Sequence, residues 1–434
     1  MREMQSWGRL NRPQHRTVVL TDPHSASNVI KSTAPGIAFG KGRSYGDVCL
    51  NPGGTLWLSS GLECWTSWNP ETGVLRCEAG ALLRDIQRLC VPQGWMLPVT
   101  PGTQWVTVGG AIANDVHGKN HHVFGSFGDH VRRLWLVRSN GDQIECSPNS
   151  ESGLFAATVA GLGLTGVIVA AELQLRRIGS PWLQSENIPY ASLAEFFHLA
   201  DSSESQWEYT VSWIDCLPRR GERVRGVFMR ANHTQALDGP PSPQRRRHMP
   251  LTPPISLVNP LSLRIFNAAY YRMQCRKTTP ALVHYEPFFY PLDNLLKWNR
   301  MYGPRGFYQY QSVVPRTNGP EAVDAMLQAI AHSGQGSFLA VLKTFGERQA
   351  PGLLSFPRPG ITLALDFPNR GQATLDLFER LDAIVREAGG ALYPAKDARM
   401  SPQMFEAGYP RLKDFLPHRD PGMSSAMSRR LLGS

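Results

Sequence analysis

Residues 101–130 read PGTQWVTVGGAIANDVHGKNHHVFGSFGDH, and this glycine-rich stretch decides the fold. A second stretch, GKGRSYGD at residues 40–47, lies roughly sixty residues earlier and follows the strand-like sequence IAF. Closely spaced glycines let backbone N–H groups approach an anion, most often a pyrophosphate. One such segment is explained equally well as a plain turn, but two are much harder to explain in that way. Together they predict a phosphate-binding site in the first part of the chain.

Two further patterns in or near this region each have two interpretations. His117 and His121 have the i, i+4 spacing of a helical metal site, but the intervening Gly118 and Asn120 are poor helix formers, so we expect no metal. Residues 161–166, GLGLTG, match GxGxxG, the dinucleotide fingerprint, which requires a strand before it and a helix after it. Here a helix-like segment precedes it and a strand-like segment follows. We therefore expect close backbone packing beside the cofactor rather than a nicotinamide site.

A fourth pattern lies near the end, where residues 390–399 read GALYPAKDAR. Lys396, flanked by Asp397 and Arg399, is compatible with a surface salt bridge, the usual environment of lysine. It is equally compatible with a site lysine whose pKa is lowered by burial. The sequence at this point leaves both possibilities open.

The periodicity of the chain predicts an α+β fold. Leu82, Leu83, Ile86 and Leu89 have helical spacing, and residues 132–146 are typical of a hairpin that turns at Asn140-Gly141. After about residue 180, strand-like runs precede a proline-rich segment, 236–262, which has no periodicity and which we expect to be a mobile loop. The last part alternates strands with two amphipathic helices. Their predicted inward faces are Val323, Met326, Leu327 and Ile330, and then Leu377, Phe378, Leu381, Ile384 and Val385.

Length and composition set broader limits. With 434 residues, 42% hydrophobic and 18% charged, the chain has the composition of a soluble enzyme of two or three domains. No apolar run is long enough to span a membrane, and the N-terminus lacks the apolar core of a signal peptide. We therefore expect a protein of the cytoplasm or of the inner face of a membrane.

The charged residues and the cysteines exclude further classes. The net charge of +10 is spread along the chain, with one dense run at Arg245-Arg246-Arg247-His248, and no nucleic-acid-binding motif accompanies it. We therefore expect no nucleic-acid partner. The seven cysteines are scattered and lack a CxxC spacing, which favours reduced, mostly buried thiols over disulfides or zinc.

Taken together, the motifs resemble a known family. GRSYGD, PGT with TVGGAI, DxHGKNHH, GLTG, QYQ, a lysine before a strand ending in DFP, and YxAKDxR follow one another between Trp7 and Arg430. This order is similar to that of the flavin subunits of the decaprenylphosphoryl-ribose 2′-oxidase (epimerase) family, which belong to the vanillyl-alcohol-oxidase, or PCMH, type of FAD proteins. The resemblance implies a two-domain fold, with residues 1–179 plus 391–434 binding FAD and residues 180–390 forming a sheet-based substrate domain.

The resemblance also implies the cofactor and its pocket. Tyr45 lies in the loop where covalent relatives have a histidine, which favours FAD bound without a covalent link. The residues implied to hold FAD are Ala38, Phe39, Gly40, Lys41, Gly42, Arg43, Ser44, Tyr45, Gly46, Asp47, Val48, Gly102, Thr107, Val108, Gly109, Gly110, His117, Gly118, Lys119, Asn120, Ile168 and Tyr393.

The implied activity is oxidation of the 2′-hydroxyl of a polyprenylphosphoryl-ribose to a keto sugar, with hydride transfer to flavin N5. Lys396 and His117 are the implied catalytic residues; Lys396 acts either as the base or as a stabilising charge. The implied substrate contacts are Tyr45, Lys119, Gln309, Gln311, Lys343 and Ala364. The family also implies an NADH-dependent short-chain reductase as partner. The arginines of segment 236–262 are compatible either with peripheral membrane contact or with a solvated loop.

Two departures bear on the substrate. Ala364 stands two residues before Asp366, where the best-known members have a cysteine, and Ser312 replaces an aromatic residue after QYQ. We therefore expect a changed pocket shape and resistance to inhibitors aimed at that thiol. Two other functions stay open: a sugar-lactone or alditol oxidase that uses oxygen and a soluble substrate, and a flavin-binding scaffold without turnover.

Overall fold

The computed structural model describes residues 1–217, 224–235, 247–276 and 280–433. The strands within these ranges are β1 Arg2–Glu3, β2 Gln14–Val19, β3 Gly36–Phe39, β4 Thr55–Leu58, β5 Trp65–Asn69, β6 Val74–Glu78, β7 Trp95–Met96, β8 Val131–Val137, β9 Gln143–Cys146, β10 Val167–Gln174, β11 Arg176–Arg177, β12 Trp182–Tyr190, β13 Tyr209–Ile214, β14 Gly226–His233, β15 Arg247–His248, β16 Ala281–His284, β17 Leu295–Leu296, β18 Phe307–Val314, β19 Ala340–Phe345, β20 Gly360–Pro368 and β21 Ala391–Leu392. The helices are α1 Pro23–Thr33, α2 Leu83–Cys90, α3 Val108–Ala113, α4 His121–Phe124, α5 Ser152–Thr158, α6 Leu193–Ser203, α7 Pro260–Cys275, α8 Tyr285–Phe289, α9 Gly319–Ser333, α10 Gln372–Glu387, α11 Pro402–Gly408, α12 Leu412–Phe415 and α13 Ala426–Leu432.

The chain begins with a small sheet of strand order β1-β2-β4-β3, in which β4 pairs in parallel with both β2 and β3. Helix α1 connects β2 to β3, and the Asp22 carboxylate caps it by accepting from the N–H groups of His24 and Ser25. All four residues of β4 are buried, as expected for a strand covered on both faces. This sheet places the Gly40–Asp47 loop directly after β3.

An antiparallel sheet of order β5-β6-β10-β8-β9 follows. The predicted hairpin is confirmed, because β8 pairs with β9 and Gly141 has the positive φ (93°) of a tight turn. The predicted helix is also confirmed as α2, with Leu83 and Ile86 buried. Leu89, which shares the predicted spacing, is 39% exposed, whereas Gln87 and Cys90 of this helix are buried.

The order of elements around residues 161–166 is the predicted one, with α5 before the glycines and β10 after them. A side chain at Gly161 would come within 2.2 Å of the Ala157 carbonyl oxygen, so the backbone itself packs here. The segment therefore has the reverse of the arrangement that a nicotinamide fingerprint requires.

The second half of the chain is built on an antiparallel sheet of order β16-β12-β14-β13-β19-β20-β18-β21. Helices α9 and α10 pack on one face, and their predicted inward residues are buried, except that Ile384 is only half-buried. Side chains at alternate positions of the central strands point to the opposite face. That face forms one wall of the site described below.

The last residues of the chain return to the first part. Arg430 of α13 pairs with Asp47 at 2.8 Å, and Ser139 donates to the Asp420 carboxylate. Strand β21 pairs with β18, so the eight-stranded sheet reaches just past the predicted boundary at residue 391. The mixture of helices with largely antiparallel sheets confirms the α+β fold; the division into two domains stays a prediction.

Segment 236–262 differs in part from the sequence prediction. Residues 236–246, with Arg245 and Arg246, lie outside the described residues. From Arg247 onward the expected lack of regular structure is wrong, because β15 pairs with β17 and α7 starts at Pro260. Asn259 caps α7 through a reciprocal bond with Ser262, a local signal that the many prolines concealed. Within the described ranges, no helix has both the length and the apolar character needed to cross a bilayer.

Candidate active site

A cavity of about 1050 Å³ lies between the glycine-rich loops and the eight-stranded sheet. Its volume is at the upper end of the range of about 300–1,000 Å³ that is typical of ligand sites. One end is lined by backbone from the Gly40 and Gly102–Asn120 loops, and the other by side chains of β13, β18, β19 and β20. The two halves of the chain therefore form the site together.

The loop after β3 forms the glycine-rich end. The N–H groups of Lys41, Gly42, Arg43 and Ser44 donate to no acceptor within the described residues, and all four residues line the cavity. A side chain at Gly40 would come within 2.6 Å of Thr107 Oγ1, so this loop packs directly on the second glycine loop. A run of free amides at such a close approach suits a pyrophosphate.

The cation in this loop completes the anion site. Arg43 is half-buried, lies over the Trp7 ring at 4.2 Å and has an Nε without a partner among the described residues. A buried donor without an acceptor costs free energy unless a ligand supplies one. The donor set therefore fits the diphosphate group of a dinucleotide cofactor.

Of the residues implied to hold the cofactor, eighteen line the cavity: Ala38, Gly40, Lys41, Gly42, Arg43, Ser44, Tyr45, Val48, Gly102, Thr107, Gly109, Gly110, His117, Gly118, Lys119, Asn120, Ile168 and Tyr393. The other four lie behind its wall. Phe39 and Val108 are core side chains, Gly46 packs against the Asp397 carbonyl, and Asp47 accepts from Arg430. These four support the wall, and their contact with a cofactor stays a prediction.

His117 is held at both ring nitrogens where the two halves of the site meet. Its Nδ1 lies 2.8 Å from Lys343 Nζ, and its Nε2 lies 3.1 Å from the Gln311 amide. Burial, reinforced by the Lys343 cation, lowers the pKa of His117 well below its ordinary value. The ring is therefore neutral near pH 7 and fixed in orientation.

Two buried lysines stand beside His117. Lys343 also donates to the Gly118 carbonyl at 2.7 Å, and Lys119 donates to the carbonyls of Phe288 and Phe289 at 2.7 and 3.1 Å. Burial lowers the pKa of Lys119 to about 7, and burial with two neighbouring lysines lowers the pKa of Lys343 well below its usual range. Both amines are thus held by hydrogen bonds rather than by carboxylates.

Lys396 lies in the cavity, which excludes the surface salt-bridge interpretation. Its Nζ is 4.1 Å from the centre of the Tyr45 ring, while its neighbour Asp397 pairs with Arg430 and Arg399 pairs with Asp382. Burial lowers the pKa of Lys396 to about 8, and the Asp366 carboxylate opposes this shift. The flanking charges therefore have partners of their own and leave Lys396 facing the cavity.

Asp366 is the site residue that the sequence analysis missed. It is fully buried in β20, opposite Gln309 of β18, whose amide donates to it at 2.6 Å. Burial raises its pKa to about 7, and the hydrogen bond from Gln309 and the charge of Lys396 oppose the rise. A single carboxylate in the otherwise apolar run ITLALDFP was the available signal, because such a group is rarely buried without a specific partner.

Strand alternation sorts the remaining predicted residues. Gln311 lies opposite Ala364 and Lys343 lies opposite Thr362, and all four side chains line the cavity. Ser312 is buried on the other face, where its Oγ contacts Met326 of α9. The expectation that Ser312 shapes the pocket is therefore wrong, whereas Ala364 is a wall residue.

The half of the cavity away from the glycine loops is apolar. It is lined by Trp213 and Val341 of the sheet, by Phe338, and by Phe266 and Tyr270 of α7. Tyr270 packs on Trp213 with ring centres 4.8 Å apart, and Phe266 packs on Phe338 at the same distance. In the part of the chain that the structure describes, no group of three or more His, Cys, Asp or Glu residues could hold a metal.

Comparison with known proteins agrees with this geometry. Residues 24–147, which contain both glycine loops, match the family described as FAD binding domain. The chain is 35% identical to decaprenylphosphoryl-beta-D-ribose oxidase of Mycolicibacterium smegmatis, over 99% of this chain and 97% of the relative. It is 30% identical to an uncharacterized protein in the mprA 5′ region of Streptomyces coelicolor, over 80% of this chain and 99% of that protein.

A more distant relative matches only a part of the chain. Human Delta(24)-sterol reductase is 31% identical over 24% of this chain and 20% of its own length. The matched FAD binding domain and the free amides at the glycine-rich end identify FAD as the cofactor and the protein as an FAD-dependent oxidoreductase with the vanillyl-alcohol-oxidase type of fold. On the near full-length match, the chain belongs to the decaprenylphosphoryl-β-D-ribose oxidase family.

Proposed function

We propose that this protein oxidises the 2′-hydroxyl of a polyprenylphosphoryl-ribose to a ketone, as the first half of a 2′-epimerisation. The observation that carries the proposal is the position of Lys396 inside the cavity, with its Nζ 4.1 Å from the centre of the Tyr45 ring, together with the His117–Lys343 pair where the glycine loops meet the sheet. The full-length relative supports the same substrate class. When bound, FAD supplies the hydride acceptor, its N5 atom.

Lys396 is the proposed base for the hydroxyl proton. A pKa of about 8 leaves roughly a tenth of the amines neutral at pH 7, which is enough for proton transfer. The charge of the Asp366 carboxylate then stabilises the ammonium that forms. The two electrons leave the substrate carbon as hydride, the hydroxyl proton passes to Lys396 Nζ, and the carbon–oxygen bond becomes a ketone.

Polar side chains around His117 are proposed to position the sugar. Gln311 and Lys343 of the sheet and His117 of the second glycine loop form one hydrogen-bonded group where the two halves of the site meet. Because these side chains already bond to one another, their orientation is set before the substrate arrives. Tyr45 and Lys119, with Gln309 and Ala364 on the sheet, are the further proposed substrate contacts.

The ends of the cavity suit the two ends of such a substrate. A sugar phosphate requires cations and hydrogen-bond donors, whereas a polyprenyl chain requires a wall such as that of Trp213, Phe338 and Phe266. A soluble alditol would leave this apolar wall uncovered. The apolar half thus favours a lipid-linked sugar, and with it a contact between the protein and a membrane surface.

The keto sugar is an incomplete product, because inversion at C2′ requires a hydride to be returned to the other face. The reversed order around residues 161–166 argues against a nicotinamide site there. We therefore propose a separate NADH-dependent short-chain reductase as the partner. Mixing the two proteins with substrate and NADH should yield the arabinose epimer, which neither protein makes alone.

FAD is proposed to be bound without a covalent link. This proposal is supported by Tyr45, which lies in the first loop where covalent relatives have a histidine. Denaturing the coloured protein should release all of the flavin into the filtrate. Flavin that stays with the chain would contradict this part of the proposal.

The central test is anaerobic bleaching of the flavin absorbance by a polyprenylphosphoryl-ribose. We expect bleaching together with a product lighter by two hydrogens, and no bleaching by the matched 2′-deoxy analogue. Bleaching by a free sugar alcohol, with hydrogen peroxide formed in air, would instead identify a soluble alditol or lactone oxidase. A flavin that no sugar reduces would leave only a flavin-binding scaffold.

A further inference from the structure

Helix α7 and the segments beside it carry an exposed apolar surface, and apart from Phe266 the proposed reaction does not use it. Of thirteen large hydrophobic side chains exposed in the described residues, eight lie between residues 251 and 282. They are Leu251, Ile255, Leu257, Leu261, Ile265, Phe266, Met273 and Leu282. Such a concentration is unusual for a surface that faces only water.

The inner face of α7 is held firmly, so the exposed face does not result from a loosely packed helix. Asn267 donates to the Asp215 carboxylate at 2.7 Å, and Asn187 of β12 donates to Gln274 at 3.0 Å. Tyr270 packs on Trp213 on the same side. The opposite side, with Leu261 and Ile265 one turn apart and 70% and 63% exposed, is therefore presented outward by a fixed helix.

The charged side chains of the segment that carries this surface have one sign. Residues 247–285 contain four arginines and one lysine but no aspartate or glutamate. Arg264 and Arg272 lie on α7 itself, and both are exposed. An apolar helix face flanked by cations is the pattern of a helix that lies in the interface of an anionic bilayer.

The surface is continuous with the entrance of the cavity. Phe266 lines the cavity and is 43% exposed, and exposed His248 lines it as well. The cavity therefore opens to solvent beside α7. From the apolar wall at Phe338, a lipid chain would pass Phe266 and emerge on the same side as Ile265.

We propose that the outward face of α7, with Leu261, Ile265, Arg264 and Arg272, docks on the surface of an anionic lipid bilayer and sets the cavity entrance against the membrane. The biological purpose of this docking rests on the proposed function, because the proposed substrate carries a polyprenyl chain. The docking itself requires only lipid. A second copy of the chain or a protein partner is the competing occupant of this face.

The test is co-sedimentation of the flavin-loaded full chain with vesicles of phosphatidylcholine, with and without phosphatidylglycerol. We expect binding to the anionic vesicles that weakens as salt is raised. The double variant L261N/I265N should lose at least tenfold in binding, and R264Q/R272Q should lose roughly fivefold per arginine. The matched control V19N/L416N, at two exposed apolar positions elsewhere, should bind as the parent does.

A second measurement guards against variants that fold poorly. An environment-sensitive fluorophore attached at I265C should shift to the blue on anionic vesicles, whereas the same label at V19C should not. Equal vesicle binding by the parent and L261N/I265N, or no shift at I265C, would overturn the proposal. Loss of self-association in L261N/I265N with vesicle binding unchanged would assign the face to a second copy instead.

The outcome is separable from that of the proposed reaction. The α7 variants should still be bleached at the parent rate by a short-chain, detergent-soluble polyprenylphosphoryl-ribose, because their altered side chains are outside the cavity. Vesicle binding without bleaching by any such sugar would refute the proposed function but support the docking surface. Bleaching without vesicle binding would support the proposed function but refute the docking surface.

Discussion

A single side chain, Lys396, is expected to separate flavin binding from turnover. Its Nζ lies over the Tyr45 ring inside the cavity and is not one of the backbone donors that fit the diphosphate of the cofactor. Lys396→Met should therefore retain FAD and lose about 10²–10⁴-fold in the rate of flavin reduction, the usual contribution of a positioned base. Single-turnover stopped-flow absorbance measures this directly. The exposed Lys413→Met is the matched control, and an unchanged rate in Lys396→Met would remove Lys396 from the mechanism.

Asp366 should control the pH at which Lys396 works. Its carboxylate raises the pKa of Lys396, opposing the larger effect of burial. In Asp366→Asn that support is lost, so the amine loses its proton at lower pH, and the acidic limb of kcat/KM should move to lower pH. The amide can still accept the Gln309 bond, which keeps the strand in place. A limb that does not move would show that Lys396 is not the titrating base.

Within strand β20, alternation predicts which positions a ligand can reach. Ala364 faces the cavity between Gln311 and Val341, on the two neighbouring strands, and lacks the thiol found in better-known relatives. We expect a thiol-directed covalent inhibitor of this family to leave the parent protein unlabelled at this strand. Ala364→Cys should be labelled rapidly, as an adduct on the peptide that contains residue 364.

The matched control for that experiment is one strand away. Ser312→Cys places a thiol on the buried face of the same sheet, against Met326, and should stay unlabelled in the folded protein. Equal labelling at both positions would mean that the reagent reacts with unfolded chain. Labelling at residue 312 alone would show that position 312, and not position 364, is on the face of the sheet that lines the cavity.

The sequence predicted elements well where the signal is local. Helix α10 and the β8–β9 hairpin follow from spacing and turn residues that act within one element. Helix α7 was missed because seven prolines between residues 240 and 260 dominate the window, although Asn259 and Ser262 carry a capping signal. Asp366 was missed as a site residue because its partners Gln309 and Lys396 come from other parts of the chain. Such long-range contacts depend on the order of strands in the sheet, which a local sequence pattern does not encode.

At the scale of the whole molecule, the cavity is built from segments that are far apart in the sequence. Lys396 is delivered by the turn after β21, while Tyr45 beneath it comes from the loop after β3. The Tyr45 N–H donates to the Ala395 carbonyl at 3.0 Å, which joins these two segments directly. The glycine loops could be predicted as a binding region from sequence, and the resemblance named Lys396. The contact between them is a property of the tertiary fold alone.

Arg430 is expected to hold this junction together. Its guanidinium donates to Asp47 at 2.8 and 3.1 Å, to Asp397 at 3.0 Å and to the Met400 carbonyl, and so ties α13 to both the glycine loop and the Lys396 turn. Arg430→Met would leave two carboxylates without their cation and should lower the free energy of unfolding by roughly 2–3 kcal/mol. Urea titration measures this loss, and Arg411→Met, which removes only an exposed ion pair with Asp414, is the control. Because Arg430 joins the glycine loop at Asp47 to the turn at Asp397, the variant should also bind FAD more weakly in fluorescence titrations. Weaker FAD binding without a change in stability would place Arg430 in the cofactor site itself rather than in the support behind it.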